Sequence, residues 1–172
     1  ARPMPADRTT ILIRGGRVID PANNVDAVQD LYIANGKVIA LGQAPEGFAP
    51  DSIIDASNHI VCPGLIDICA RLREPGHEQK ATIASESRAA ASGCITTLFC
   101  PPDTNPVIDT PAVTEFIRLR AEAAGHARIV TLGALTQSLA GEHLSEMAAL
   151  SQAGCVGVSN ALQPMINPLV QR

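Results

Sequence analysis

Tryptophan is absent from the 172 residues, and tyrosine and phenylalanine together contribute only 2%. Stacking platforms for nucleic-acid bases are therefore missing. Lysine is nearly absent as well, with Lys37 and Lys80 the only two. With a net charge of -4 and no dense Lys/Arg run, nucleic acid and anionic membrane surfaces are poor partners for this chain. No apolar stretch is long enough to span a bilayer. The opening residues, Ala1 to Thr10, hold Pro3, Pro5, Asp7 and two arginines but no apolar run, so they do not read as a secretory signal. The five cysteines, Cys62, Cys69, Cys94, Cys100 and Cys155, are odd in number and lack CxxC spacing. That pattern argues against a disulfide or zinc framework and for reduced thiols in a cytoplasm.

What is present is a chain with 46% hydrophobic and 17% charged residues, enough to bury a core. Residues 1–60 read as an N-terminal arm followed by β structure. Ile11-Leu12-Ile13 forms a short strand stopped at Gly15-Gly16, and Val18-Ile19 resumes it until Pro21-Ala22-Asn23-Asn24. Asn35-Gly36 between Leu31–Ala34 and Lys37–Leu41 is a strong hairpin signal, because a type I′ turn needs positive φ at both positions. Ile53-Ile54 and Ile60-Val61 are further short strands.

From residue 61 to 172 the rhythm is strand, helix, strand, helix. Leu65–Ala70, Cys94–Cys100, Ile129–Leu135 and Cys155–Ser159 are near-continuous apolar strands. A helix is expected over His77–Ser92. A second starts at Thr110-Pro111 and ends at Gly125, with Ala112, Phe116, Leu119 and Ala123 as its apolar stripe. A third helix presents Leu144, Met147, Ala148 and Ser151 on one face. Unbroken apolar strands alternating with helices imply an α/β fold with a parallel sheet. A closed eight-stranded barrel takes roughly 250 residues, so the choice is a small open sheet or a truncated barrel.

The run Gly64-Leu65-Ile66-Asp67-Ile68-Cys69-Ala70-Arg71-Leu72-Arg73-Glu74-Pro75-Gly76 bears on that choice. It resembles the dihydroorotase signature of the amidohydrolase superfamily, G-L-I-D-x-H-x-H-L-R-E-P-G, at the end of barrel strand 1. The likeness continues through Thr82–Ser85, Ser87–Ala91, Gly93, Thr96-Thr97 and Thr104–Asp109. The resemblance implies the first four βα units of a (β/α)8 barrel behind part of a β-sandwich.

The departures from that pattern fall on the metal site. The family's two metal-binding histidines correspond to Cys69 and Arg71. Residues i and i+2 of a strand share a face, and in the family that face is the barrel mouth. A thiolate can ligate a metal, but a guanidinium has no free lone pair and keeps its charge. At about 4 Å, two unit charges repel by roughly 4 kcal/mol at an effective dielectric of 20. Where metal-competent relatives read F-S-D-D-G, this chain has Val158-Ser159-Asn160-Ala161-Leu162. Asp103 stands at the asparagine of the family's M-P-N-T, where its charge would repel an anionic substrate, while Arg73, the family's substrate-carboxylate contact, is retained.

The resemblance therefore implies no catalytic residue, no metal and no cofactor, with Cys69, Arg71, Arg73, Asp103 and Asn160 as vestigial site positions. Some bacterial aspartate transcarbamoylases carry an inactive dihydroorotase-like chain of this kind, which makes the transcarbamoylase catalytic chain the implied partner in a homo- or hetero-oligomer. An active cyclic-amide hydrolase with an atypical metal site is the alternative, and a ligand-binding module built around Arg73 is a third. Each vestigial residue also has a purely structural reading: Cys69, like the other cysteines, as strand core, and Arg73 as a salt-bridge residue.

Charge leads to one geometric expectation. Arg71 and Asp103 both place ions in the mouth, so the two should pair. A barrel cut after four units would also wet Ile66, Ile68, Leu98, Val130, Leu132, Val156 and Val158. The 172-residue chain is then expected to associate through that side, which size-exclusion chromatography with light scattering reads directly.

Overall fold

The computed structural model describes residues 9–165 and 167. The chain divides into two compact units, residues 1–63 and 64–172.

The first unit is one five-stranded sheet where the sequence suggested part of a sandwich. Its strands are β1 (Thr10–Asp20), β2 (Val25–Ala34), β3 (Lys37–Leu41), β4 (Ser52–Asp55) and β5 (Ile60–Val61). The order is β3-β2-β1-β4, and β5 also pairs with β1, farther along it. Gly15-Gly16 does not stop the first strand. The register shifts there by a bulge, the Gly15 amide donates to the Asp30 carboxylate at 2.9 Å, and β1 runs on to Asp20. Asn35 and Gly36 form the expected two-residue hairpin, with φ of 52° and 70°. Leu12, Val18, Leu31, Tyr32 and Ala56 are the buried apolar residues of this unit, and the Tyr32 ring meets Phe48 edge-on at 5.2 Å.

The second unit is α/β. It contains β6 (Leu65–Asp67), α1 (Ile83–Ser92), β7 (Ile95–Cys100), α2 (Pro111–Ala124), β8 (Arg128–Thr131), β9 (Gly133–Ala134), α3 (Met147–Gln152) and β10 (Val158–Ser159). β6, β7 and β8 form a parallel sheet in that order, and β9 pairs in parallel with β10. Leu72, Ile83, Leu98, Cys100, Ile108, Ile117 and Leu150 form the heart of its core.

Several elements are shorter than the apolar pattern suggested, each for a local reason. β6 ends at Asp67, whose carboxylate turns back to accept the Cys69 amide at 2.9 Å. α1 starts at Ile83 rather than near His77, because Thr82 and Ser85 form a reciprocal capping box. The single strand expected over Ile129–Leu135 is split, with β8 on β7 and β9 on β10. α3 begins after Leu144 and buries Leu150, so the face carrying Met147, Ala148 and Ser151 is exposed.

α2 starts at Pro111 and ends at Gly125 as expected, but its buried residues are Val113, Thr114 and Ile117. The stripe Ala112, Phe116, Leu119, Ala123 lies in solvent. Ile66, Ile68, Val156 and Val158 are exposed as expected, whereas Leu98 is buried in the core, Val130 is buried outside that cluster and Leu132 is half-buried. Cys62, Cys69 and Cys94 are exposed and not core residues, while Cys100 and Cys155 are buried.

One buried carboxylate ties these pieces together. Glu74 is only 2% exposed. One of its oxygens accepts the Ile83 amide at the first turn of α1, at 2.7 Å, and the other accepts Nε of Arg120 on α2, at 2.6 Å. The carboxylate thus serves a helix N-terminus and an ion pair at once. Glu74→Ala removes both partners and leaves a buried helix N–H unpaired. It is expected to cost about 2–4 kcal/mol, measured as a lower denaturant midpoint at unchanged slope.

Candidate functional site

Residues at the end of β6 and just after β7 line a small cleft of about 270 Å³, walled by Arg71, Arg73, His77, Asp103 and Thr104. The two walls are segments held back to back. The peptides preceding Pro75 and Pro106 are both cis, and the Pro75 carbonyl accepts the Asn105 amide at 3.1 Å. Gly76 completes the contact at φ 103°. A Cβ there would lie 2.4 Å from the Asn105 carbonyl oxygen, so no other residue fits without moving the segment.

Arg71 and Asp103, which charge alone suggested should meet, do so. Nε of Arg71 donates to Oδ2 of Asp103 at 2.8 Å, with the two side chains 31% and 27% exposed. The carboxylate hydrogen bond and its charge raise the Arg71 pKa above the ordinary arginine value, so the cation persists at any ordinary pH. Nη1 of Arg71 also lies 4.0 Å from the Cys69 sulfur. Cys69, Arg71 and Asp103 therefore form one cluster.

Arg73 lines the same cleft with a left-handed backbone, φ 66°, and its carbonyl accepts the His77 amide at 2.8 Å. Asn160, just past β10, is committed elsewhere. Its side-chain oxygen accepts the hydroxyl of buried Thr136 at 2.7 Å and its amide donates to the Gln163 carbonyl at 3.0 Å. The Thr136 oxygen accepts the Gly141 amide in turn, at 2.9 Å.

These donors do not suit a catalytic zinc ion, which takes three protein ligands and a water. The cluster offers one thiol and one carboxylate, and the carboxylate is already bonded to a guanidinium that cannot ligate. Among the described residues, no group of three or more histidine, cysteine, aspartate or glutamate side chains comes together to hold a metal. Also among them, no helix is long and apolar enough to cross a membrane.

Sequence reasoning passed over two residues that matter here, Glu74 and Thr136. Glu74 stood in the quoted run, between Arg73 and Pro75, but nothing local marked it as buried. Thr136 carried none, because its role depends on Asn160, 24 residues away.

The dihydro-orotase-like family model matches residues 58–163. The chain belongs to the dihydroorotase-like family. It is 51% identical over 153 residues to a dihydroorotase-like protein of Pseudomonas aeruginosa, covering 89% of this chain and 36% of that one. It is 46% identical to a dihydroorotase-like protein of Pseudomonas putida, over 92% of this chain and 37% of the relative. A dihydroorotase of Geobacter metallireducens is 45% identical, over 94% and 38% respectively. The chain thus spans little more than a third of the length of these relatives.

Among solved structures, the L-hydantoinase of Arthrobacter aurescens superposes with a TM-score of 0.71 at 22% identity, over 86% of this chain and 32% of that one. A dihydroorotase superposes at 0.53 and 16% identity, over 87% and 42%. Both likenesses concern the fold.

Two measurements follow from this geometry. Gly76→Ala is expected to destabilise the protein by about 1–3 kcal/mol, through both its left-handed φ and the close carbonyl, and thermal denaturation reads the loss. Burial pushes the Cys100 thiol up to about 12. In native protein, iodoacetamide at mildly alkaline pH should label Cys62, Cys69 and Cys94 and spare Cys100 and Cys155, as peptide mapping would show.

Proposed function

We propose that this chain is the N-terminal part of a degenerate dihydroorotase-like protein, one that performs no hydrolysis and supports the assembly or stability of aspartate transcarbamoylase in pyrimidine biosynthesis. The observation that carries this reading is the Arg71–Asp103 ion pair, which fills the mouth with its own balanced charges. A metal-dependent cyclic-amide hydrolase needs a Lewis acid and an activated water at that place. Here a fixed cation and its carboxylate line the cleft, and the carboxylate's charge would repel an anionic substrate.

In this reading the second unit is the first four βα units of a (β/α)8 amidohydrolase barrel, and the first unit is part of the accompanying β-sandwich. Parallel β6-β7-β8 and β9-β10, with helices in the connections, support it. So does the family relationship to full-length proteins bearing the dihydroorotase-like name. The partner would be the transcarbamoylase catalytic chain, in the cytoplasm.

The test uses the full-length protein. It is expected to co-purify with the transcarbamoylase chain, to be needed for that chain's full activity or assembly size, and to hydrolyse no dihydroorotate. Elemental analysis is expected to find no zinc at stoichiometry. One zinc per chain together with dihydroorotase turnover would overturn the proposal in favour of an active hydrolase. Transcarbamoylase activity and assembly indifferent to this protein would remove the proposed partner.

The pair itself can be examined separately. Asp103→Asn is expected to cost about 1 kcal/mol or less, because both side chains are partly solvated, and so to be much milder than the loss of Glu74. Chemical denaturation of the two variants side by side gives the comparison.

A further inference from the structure

Residues 136–145 follow β9 and form a strap whose two ends are stitched together. Thr136 and Leu144 make an isolated antiparallel bridge, the Gln137 amide donates to the His143 carbonyl at 2.9 Å, and the Ser145 amide donates to the Leu135 carbonyl at 3.0 Å. Two contacts hold the middle of the strap down. Leu139 is buried, and the buried Gly141 amide donates to Oγ1 of Thr136 at 2.9 Å. A third comes from outside the strap, where Oδ2 of Asp109 accepts the Ser138 amide at 2.9 Å.

The closed strap also carries three costs. Ser138 and Leu139 are consecutive non-glycine residues with left-handed φ of 53° and 59°. Such residues occur singly as a rule, because Cβ crowds the carbonyl that follows, and leucine has no short polar group to compensate. The third cost is Oγ of Ser145, a buried side-chain atom that finds no hydrogen-bond partner among the described residues. An open conformation relieves all three: both residues return to negative φ, and the hydroxyl reaches water. We propose that the strap is a two-state device, closed in this structure, which opens locally far more readily than the core beneath it and is controlled by the ion pair of the cleft.

The link to the cleft is the segment that carries Asp103. At one end, Oδ2 of Asp103 is held by Arg71. At the other, Asp109 holds the strap. Between them the Ile108 amide donates to the Pro102 carbonyl at 3.2 Å, and the Ile108 carbonyl accepts the Ala134 amide at 2.7 Å. Ile108 itself is fully buried, so the spacing of the two ends is fixed. Freeing Asp103 from Arg71 therefore loosens one end of a short segment and, through Asp109, the strap. Opening unseats Leu139 and uncovers Thr136, whose hydroxyl otherwise donates to Asn160. The inference rests on the geometry of the strap and stands whether or not the cleft is catalytically inert.

The experiment is hydrogen exchange of the full-length protein, read at single-amide resolution by mass spectrometry. The bonded amides of Gly141 and Ser145 are expected to be at least about a hundredfold less protected than that of buried Ile117 in α2. Ser138→Gly and Ser145→Ala each delete one cost of the closed state, so each is expected to raise the protection of Gly141 by about threefold or more. Asp109→Ala and Asp103→Asn are expected to lower it by about the same factor, and by more than they lower that of Ile117. Strap amides as well protected as Ile117 overturn the local opening. Protection of Gly141 that does not rise in either Ser138→Gly or Ser145→Ala overturns strain as its cause. A strap that loosens in Asp109→Ala but is indifferent to Asp103→Asn overturns control by the cleft, and indifference to both overturns the tether as well.

Discussion

Glu74 is the constraint on which the second unit depends. A carboxylate that is almost fully buried must find partners for both oxygens, and it finds them on two different helices: the first amide of α1 and the guanidinium of Arg120 on α2. Because Glu74 also sits between Arg73 and Pro75, the same bonds fix the segment that carries Arg71 and Arg73 along the cleft. Removing a carboxylate from water costs several kcal/mol unless its lone pairs are met, so the chain has little freedom to place this segment elsewhere. Gly76 and the Pro75 carbonyl then seat it against Asn105, which locates the neighbouring segment and with it Asp103. The geometry of the cleft is thus inherited from a residue that takes no part in lining it.

Much of this was legible in the sequence because it rests on local chemistry. Asn35-Gly36 can turn a hairpin in one way only, and Pro111 and Gly125 punctuate α2 where such residues must. The Arg71–Asp103 contact was legible for a different reason: two isolated ions at the mouths of adjacent parallel strands are each other's cheapest partner. What misled was periodicity. In α2 and α3 the sequence offers apolar residues on more than one face, and a stripe such as Ala112-Phe116-Leu119-Ala123 satisfies the helical repeat as well as Val113-Ile117 does. Only packing against α1 and the sheet decides between them. Likewise, nothing local distinguishes a strand that stops at Asp67 from one that runs to Ala70 until the Asp67 side chain is seen turning onto the Cys69 amide.

At the site, the residues that departed from the family pattern were the visible ones, and the supporting residues were not. Cys69, Arg71, Asp103 and Asn160 stood out against a familiar run, whereas Thr136 is an ordinary threonine until Asn160 and Gly141 close around its hydroxyl. Bonds between distant segments carry little short-range signal: Thr136 meets Asn160 24 residues away, and Glu74 meets Arg120 46 residues away.

The ion pair of the cleft also behaves as a ratchet. Arg71 and Asp103 each make the other tolerable, so a change at either one alone strands a charge at a partly desolvated position. Restoring a histidine at 71 would leave Asp103 unpaired and still repelling an anion. Restoring an asparagine at 103 would leave the guanidinium where a cation should bind. Neither single step regains a metal ligand set, since Cys69 and the occupied amide of Asn160 would remain. Either single change therefore exchanges a paired ion for an unpaired one without supplying a metal ligand set, so the two positions are coupled and change at least cost together.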